Sequence, residues 1–190
     1  MAKLVVLNDD GTKTIIDSSS LGGGTIISDN QSVASQTGFA ADTYLNGSFI
    51  KFPSVPIVGT TYKLRFDVTK TNAGTATPII NIRIGTAGTT ADTSVVAFTF
   101  GAGTAAVDMG VFDVTITFRT VGSGTSAVVQ GIAFIQNSLA STGITNATKC
   151  RIGTSSGFNS TTSSLGIGAS YNGGASAAHT IQLVRAELII

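Results

Sequence analysis

From Thr43 onward, apolar and polar residues alternate in short runs separated by glycine-rich breaks. Tyr62, Leu64, Phe66 and Val68 fall on one side of a period-two pattern, and Lys63, Arg65, Asp67 and Thr69 on the other. Successive side chains of a strand point to opposite faces, so this pattern predicts a half-buried β-strand. Ile80, Ile82 and Ile84 repeat it against Asn81 and Arg83. Phe112, Val114, Ile116 and Phe118 repeat it against Asp113, Thr115, Thr117 and Arg119. Weaker versions run over Leu45 to Phe52, Ser94 to Phe100, Ala127 to Ile135, Lys149 to Thr154, Leu165 to Tyr171 and Ala178 to Leu188. A body of about eight or nine strands is expected.

The breaks are Thr71-Asn72-Ala73-Gly74, Gly85-Thr86-Ala87-Gly88, Gly101-Ala102-Gly103, Gly122-Ser123-Gly124 and Asn172-Gly173-Gly174. Each supplies a residue that tolerates the positive φ of a tight turn. No helical period of 10–15 residues intervenes, so the fold class is all-β, an antiparallel two-sheet sandwich with a jelly-roll-like arrangement. An immunoglobulin-like sandwich is the alternative, although the Cys, Trp, Cys spacing is missing. The first forty residues differ. Lys3 to Asn8 alternates weakly, Asp9-Asp10-Gly11 is a hairpin turn signal, and Thr12 to Ile16 returns as a second strand. Ser18 to Gly24 has linker composition, and Thr25 to Gly38 is polar apart from Ile26-Ile27. The expected division is residues 1–40 as an N-terminal β-hairpin and extended docking arm, and 41–190 as the sandwich body.

Composition sharpens this picture. Among 190 residues there are 28 Thr, 20 Ser and 23 Gly but a single glutamate, Glu187, and charged residues make up only 11% against a usual ~25%. Helix formers are scarce and β-branched residues abundant, which argues against an α-rich enzyme fold. A net charge of +1 with 42% hydrophobic residues opposes collision weakly, so an obligate oligomer is expected. The eleven cations are scattered rather than clustered, so no nucleic-acid partner is expected. No run approaches a membrane span, and the opening Met1 to Leu7 meets Asn8-Asp9-Asp10 too early for a secretory leader, so no membrane partner and synthesis in the cytosol are expected. One cysteine, Cys150, allows no intrachain disulfide.

Candidate chemistry is thin. The single histidine, His179, follows Ser176 without a Gly-x-Ser-x-Gly elbow, so no catalytic residue is assigned and the chain is not expected to be an enzyme. Asp67 and Asp113 lie on the polar faces of their strands beside Arg65 and Arg119 and read as solvated pairs rather than glycosidase acids. One Cys and one His cannot make a zinc site, no calcium loop is present, and Gly85 to Gly88 opens no helix, so neither metal nor cofactor is expected. A carbohydrate platform would need an exposed aromatic ring; with no Trp, and with Tyr62 and Tyr171 on core-facing registers, only Tyr44 remains. Cys150 between Lys149 and Arg151 reads first as a small buried residue and second as a thiol with cationic neighbours. The last strand carries Arg185 and Glu187 on one face and an apolar tail through Leu188 to Ile190. That tail is costly to leave wet. His179, Arg185, Glu187, Leu188 and Ile190 are therefore expected at an oligomer interface.

The phrases Thr43-Tyr44-Leu45-Asn46-Gly47-Ser48 to Gly59-Thr60-Thr61-Tyr62, Asp67 to Ala76, Gly85 to Thr93 and Gly174 to His179 resemble β-sandwich structural proteins of tailed bacteriophages over roughly Thr43 to Leu188. The resemblance implies a virion protein on the capsid exterior, of capsid cement or decoration type. Its implied partners are copies of itself as a homotrimer and the major capsid protein. The arm residues Leu4, Val6, Ile15, Ile26 and Ile27 would then dock on the lattice. The alternative is a tail fibre, spike or tail-tip module that recognises a host surface glycan through loops such as Asn72 to Thr77 or Ser155 to Ser164. No catalytic residue carries over.

Overall fold

The computed structural model describes residues 3–7, 13–17, 26–70, 78–99, 108–137, 150–173 and 180–189. Among them the chain is all β. An N-terminal ribbon pairs β1 (Lys3–Leu7) with β2 (Lys13–Asp17). The body follows with β3 (Ile26–Ser32), β4 (Thr43–Tyr44), β5 (Ile50–Lys51), β6 (Thr61–Lys70), β7 (Ile79–Gly85) and β8 (Thr93–Thr99). It continues through β9 (Asp108–Thr120), β10 (Val128–Asn137), β11 (Cys150–Thr154), β12 (Gly166–Asn172) and β13 (Ile181–Ile189). One sheet runs β11-β10-β9-β6-β13-β3; the other runs β4-β12-β7-β8, with β5 also on β12. All ladders are antiparallel. The nested pairs β6 with β13, β7 with β12 and β9 with β10 give the sandwich its jelly-roll-like character.

Alternation sorts the side chains as the strand period requires. Tyr62, Leu64 and Phe66 from β6, Phe112 to Phe118 at every second position from β9, and Ala133, Val184 and Ala186 form one inner face. Ile80, Ile82, Ile84, Phe98, Ile167, Ala169 and Tyr171 form the other. The two faces meet in one continuous core. Aromatic rings lock its loop end: Phe52 stacks on Tyr62 at 4.5 Å, and Phe118 meets Phe52 and Phe158 edge-on at 5.9 and 6.2 Å.

A bulge closes one side. The β7–β8 register shifts after Ile82, so that Val95 and Val96 are both buried. Val95 then presses on the far sheet, where a Cβ on Gly153 would lie 2.1 Å from the Val95 carbonyl oxygen and one on Gly131 2.7 Å from its Cγ1. Glycine at these two positions lets β10 and β11 approach β8.

Two expectations change. The strand expected over Leu45 to Phe52 is two short pieces, because Asn46-Gly47-Ser48 turns between them. Gly47 has φ +79°, and the buried Ser48 hydroxyl donates to the Leu45 carbonyl at 2.7 Å and accepts from Ala169 N–H at 3.1 Å. Ile26 and Ile27, expected on the docking arm, begin β3, which pairs with β13 at the edge of the larger sheet; residues 26–40 therefore run along the body. In the ribbon, the register sets Leu4 opposite Ile16 and Val6 opposite Thr14, with Val5 opposite Ile15, so Ile15 falls at a position of opposite parity from Leu4 and Val6.

Candidate functional site

The outer face of the larger sheet divides into a charged half and an apolar half. On the charged half, Arg185 reaches Asp67 Oδ2 at 2.8 Å and Glu187 Oε1 at 3.2 Å, and Arg65 Nε reaches Asp67 Oδ1 at 3.4 Å. These groups are partly exposed, and such pairs contribute ~0–1 kcal/mol each. The β6–β13 register explains the network, since it sets Asp67 opposite Arg185 and Arg65 opposite Glu187.

The apolar half lies over β10 and β11. Ile132 faces Ile152 directly across the ladder, and Phe134 sits beside them opposite Cys150. These three large side chains stand 37%, 66% and 52% exposed for Ile132, Ile152 and Phe134 respectively. Cys150 is half-buried next to them. Cross-strand neighbours on β9 are Thr115 and Asp113, so the strip ends where the charged half begins. β11 is the sheet edge, and Arg151 holds a core-facing parity opposite the buried Ala133 yet remains exposed. An inward-parity charge on an edge strand opposes strand addition, which leaves face-on packing as the way to cover the strip.

The smaller sheet carries a polar cluster on its outer face. Arg83 donates from Nε to Ser170 Oγ at 2.7 Å, from Nη1 to the Asp92 carbonyl at 2.7 Å, and from Nη2 to Asp42. Tyr44 lies over Gly168, where a Cβ would be 2.1 Å from its hydroxyl. Its phenol is pushed well above the usual tyrosine range, first by burial and then by the Asp92 charge, with Arg83 opposing. Tyr44 Oη and Asp42 Oδ1 are buried without a hydrogen-bond partner among the described residues. Tyr44 is therefore a half-buried packing residue rather than an exposed platform.

Among the other residues singled out in the sequence, Arg185 and Glu187 lie in the charged half of the outer face, and Leu188 is 0% exposed in the core of the sandwich. The Leu188 side chain is thus spent in the chain's own core and is not available at its surface. His179 and Ile190 lie outside the described residues, as does the loop Asn72 to Thr77. Tyr62 and Tyr171 are buried as their register requires. The strip Ile132, Phe134 and Ile152 carries little signal in the sequence. That signal is a run over Ala127 to Ile135 that is apolar at both parities, which reads equally as an interior strand.

Against family models, curated proteins and solved structures, the chain finds no match in any of the three comparisons.

Proposed function

We propose that this chain is a structural subunit of a tailed-bacteriophage virion, a capsid cement or decoration protein that acts as a homotrimer. The observation that carries the reading is the Ile132, Phe134 and Ile152 strip on an otherwise weakly charged sandwich. Three wet apolar side chains side by side favour coverage by another protein surface. The occupant proposed is a second copy. Arg151 opposes edge pairing, the +1 net charge adds little repulsion between copies, and in a trimer three copies of one apolar strip can converge on the threefold axis.

In this reading the β1–β2 ribbon reaches the capsid lattice. It is a separate two-stranded sheet, and such ribbons are marginal in water until they pack on something. The mechanism is mechanical: trimers bridging capsid subunits resist the outward pressure of packaged DNA through buried contact area. Deleting residues 1–24, which ends before β3, should leave a folded oligomer that no longer binds capsids. Normal capsid occupancy by that deletion would refute the division of labour. Densitometry of purified particles tests the role itself. A copy number comparable to that of the major capsid protein supports cement, whereas a few copies per particle supports a tail component.

A further inference from the structure

A cleft of about 220 Å³ opens at one end of the sandwich, between the connection from β7 to β8 and the connection from β11 to β12. Pockets for drug-sized molecules run to roughly 300–1,000 Å³, so this one accommodates a single small unit. Asp92, Asn159, Thr86, Thr93 and Thr162 supply its polar lining, and Phe158 part of its apolar wall.

The lining is held in place before any ligand arrives. Asp92 is only 7% exposed, and its carboxylate accepts from Ala87 N–H at 3.1 Å and from Gly88 N–H at 2.8 Å, one bond to each oxygen. A carboxylate has about four acceptor directions, so capacity remains on both oxygens. Gly85 backs the group closely: a Cβ there would fall 2.1 Å from Asp92 Oδ1. Across the cleft, Asn159 Oδ1 accepts from Thr161 N–H at 2.9 Å and from the Thr161 hydroxyl at 2.8 Å, which fixes the amide's orientation. Among the described residues its Nδ2 donates to nothing. The loop that carries Asn159 is sewn to the β9–β10 turn by the Ala127–Phe158 bridge and by Ser160 N–H to the Gly122 carbonyl at 2.9 Å.

A fixed acceptor and a fixed donor lining one cleft, together with threonine side chains and an apolar wall, match the neighbouring hydroxyls and the C–H edge of a sugar ring. The buried carboxylate disfavours an anionic ligand, Asp92 is the one acid in the cleft lining, and no group of three or more His, Cys, Asp or Glu that could hold a metal forms among the described residues. We propose that this cleft binds one neutral pyranose unit of a surface glycan.

The test uses the full chain and a panel of methyl pyranosides of glucose, galactose, mannose and N-acetylglucosamine, read by saturation-transfer NMR and then by titration. At least one should bind. Ala91→Tyr places a ring at the exposed rim of the cleft without removing the Asp92 hydrogen bonds, and should weaken that ligand about tenfold or more. Thr162→Val keeps the shape but removes a hydroxyl whose bond from Ser164 Oγ is long, at 3.5 Å, so it should weaken the ligand roughly 2- to 10-fold with little change in melting temperature. Binding by no member of the panel, or binding indifferent to both substitutions, would overturn the proposal. Neither residue lies on the β10–β11 face, so loss of sugar binding and loss of assembly are separately readable.

Discussion

Phe134→Ser should weaken subunit association while leaving the subunit folded. An aromatic side chain offers roughly 150–250 Å². At 52% exposure, about 80–130 Å² of Phe134 is wet in the isolated subunit. Covering that area at ~25 cal/mol per Å² gains about 2–3 kcal/mol for each ring covered. With ~1.4 kcal/mol per tenfold, removing the ring should lower the association constant roughly 30- to 140-fold for each Phe134 that the interface buries. The fold should tolerate the change within ~0.5 kcal/mol, because the outward ring is replaced by a residue that water can solvate. Sedimentation equilibrium over a range of concentrations reads the association, and a thermal melt of the same samples reads the fold. Val33→Ser is the control: Val33 is also a highly exposed apolar residue, but it lies away from the strip, after β3, and its replacement should leave association unchanged. Equal association for Phe134→Ser and wild type, with equal melts, would refute the assignment of the strip to a subunit contact.

Other consequences follow from the interior. Gly153→Ala should cost about 1–3 kcal/mol by urea denaturation, because the added methyl would lie 2.1 Å from the Val95 carbonyl oxygen and must push β11 off β8. Leu188→Ala should cost about 2–5 kcal/mol in the subunit itself, measured at a concentration where only monomer is present. A loss seen only in the oligomer would place Leu188 between subunits instead. Burial, and after it the Asp92 charge, keep the Tyr44 phenol protonated above the pH at which an unfolded tyrosine, with pKa ~10, ionises. Its contribution to stability is therefore complete below about pH 10 and declines as pH rises beyond that, a slope that pH-dependent denaturation should show and Tyr44→Phe should reduce. At neutral pH Tyr44→Phe should be neutral or stabilising by up to ~1 kcal/mol, since it removes a buried hydroxyl that has no hydrogen-bond partner among the described residues. A loss greater than that would reveal an ordered water on Tyr44 Oη.

The strands and their inward faces were legible because each is a local property. Period-two alternation in Tyr62 to Phe66 and Phe112 to Phe118 assigns a buried side whatever the partner strand is. Glycine breaks marked the turns for the same reason, as at Gly88, Gly122 and Gly124, all with positive φ. Pairing is not local. That β6 lies between β9 and β13, and that β3 leaves the supposed arm to flank β13, depends on contacts between residues far apart in the chain, and no period encodes them. The candidate sites depend on pairing. Ile132 and Ile152 meet only because β11 folds back on β10, and the run from Ala127 to Ile135, apolar at both parities, cannot say which of its sides the second sheet will cover. Asp92 and Asn159 are likewise separated by the whole of β8 to β11. They line one cleft because two sheets closed over a shared core and brought their connecting loops to the same end. The sequence by itself determined which residues turn inward, because burial of alternate side chains is written at short range. The tertiary structure alone decided which outward residues became neighbours, because that requires the whole sandwich to close.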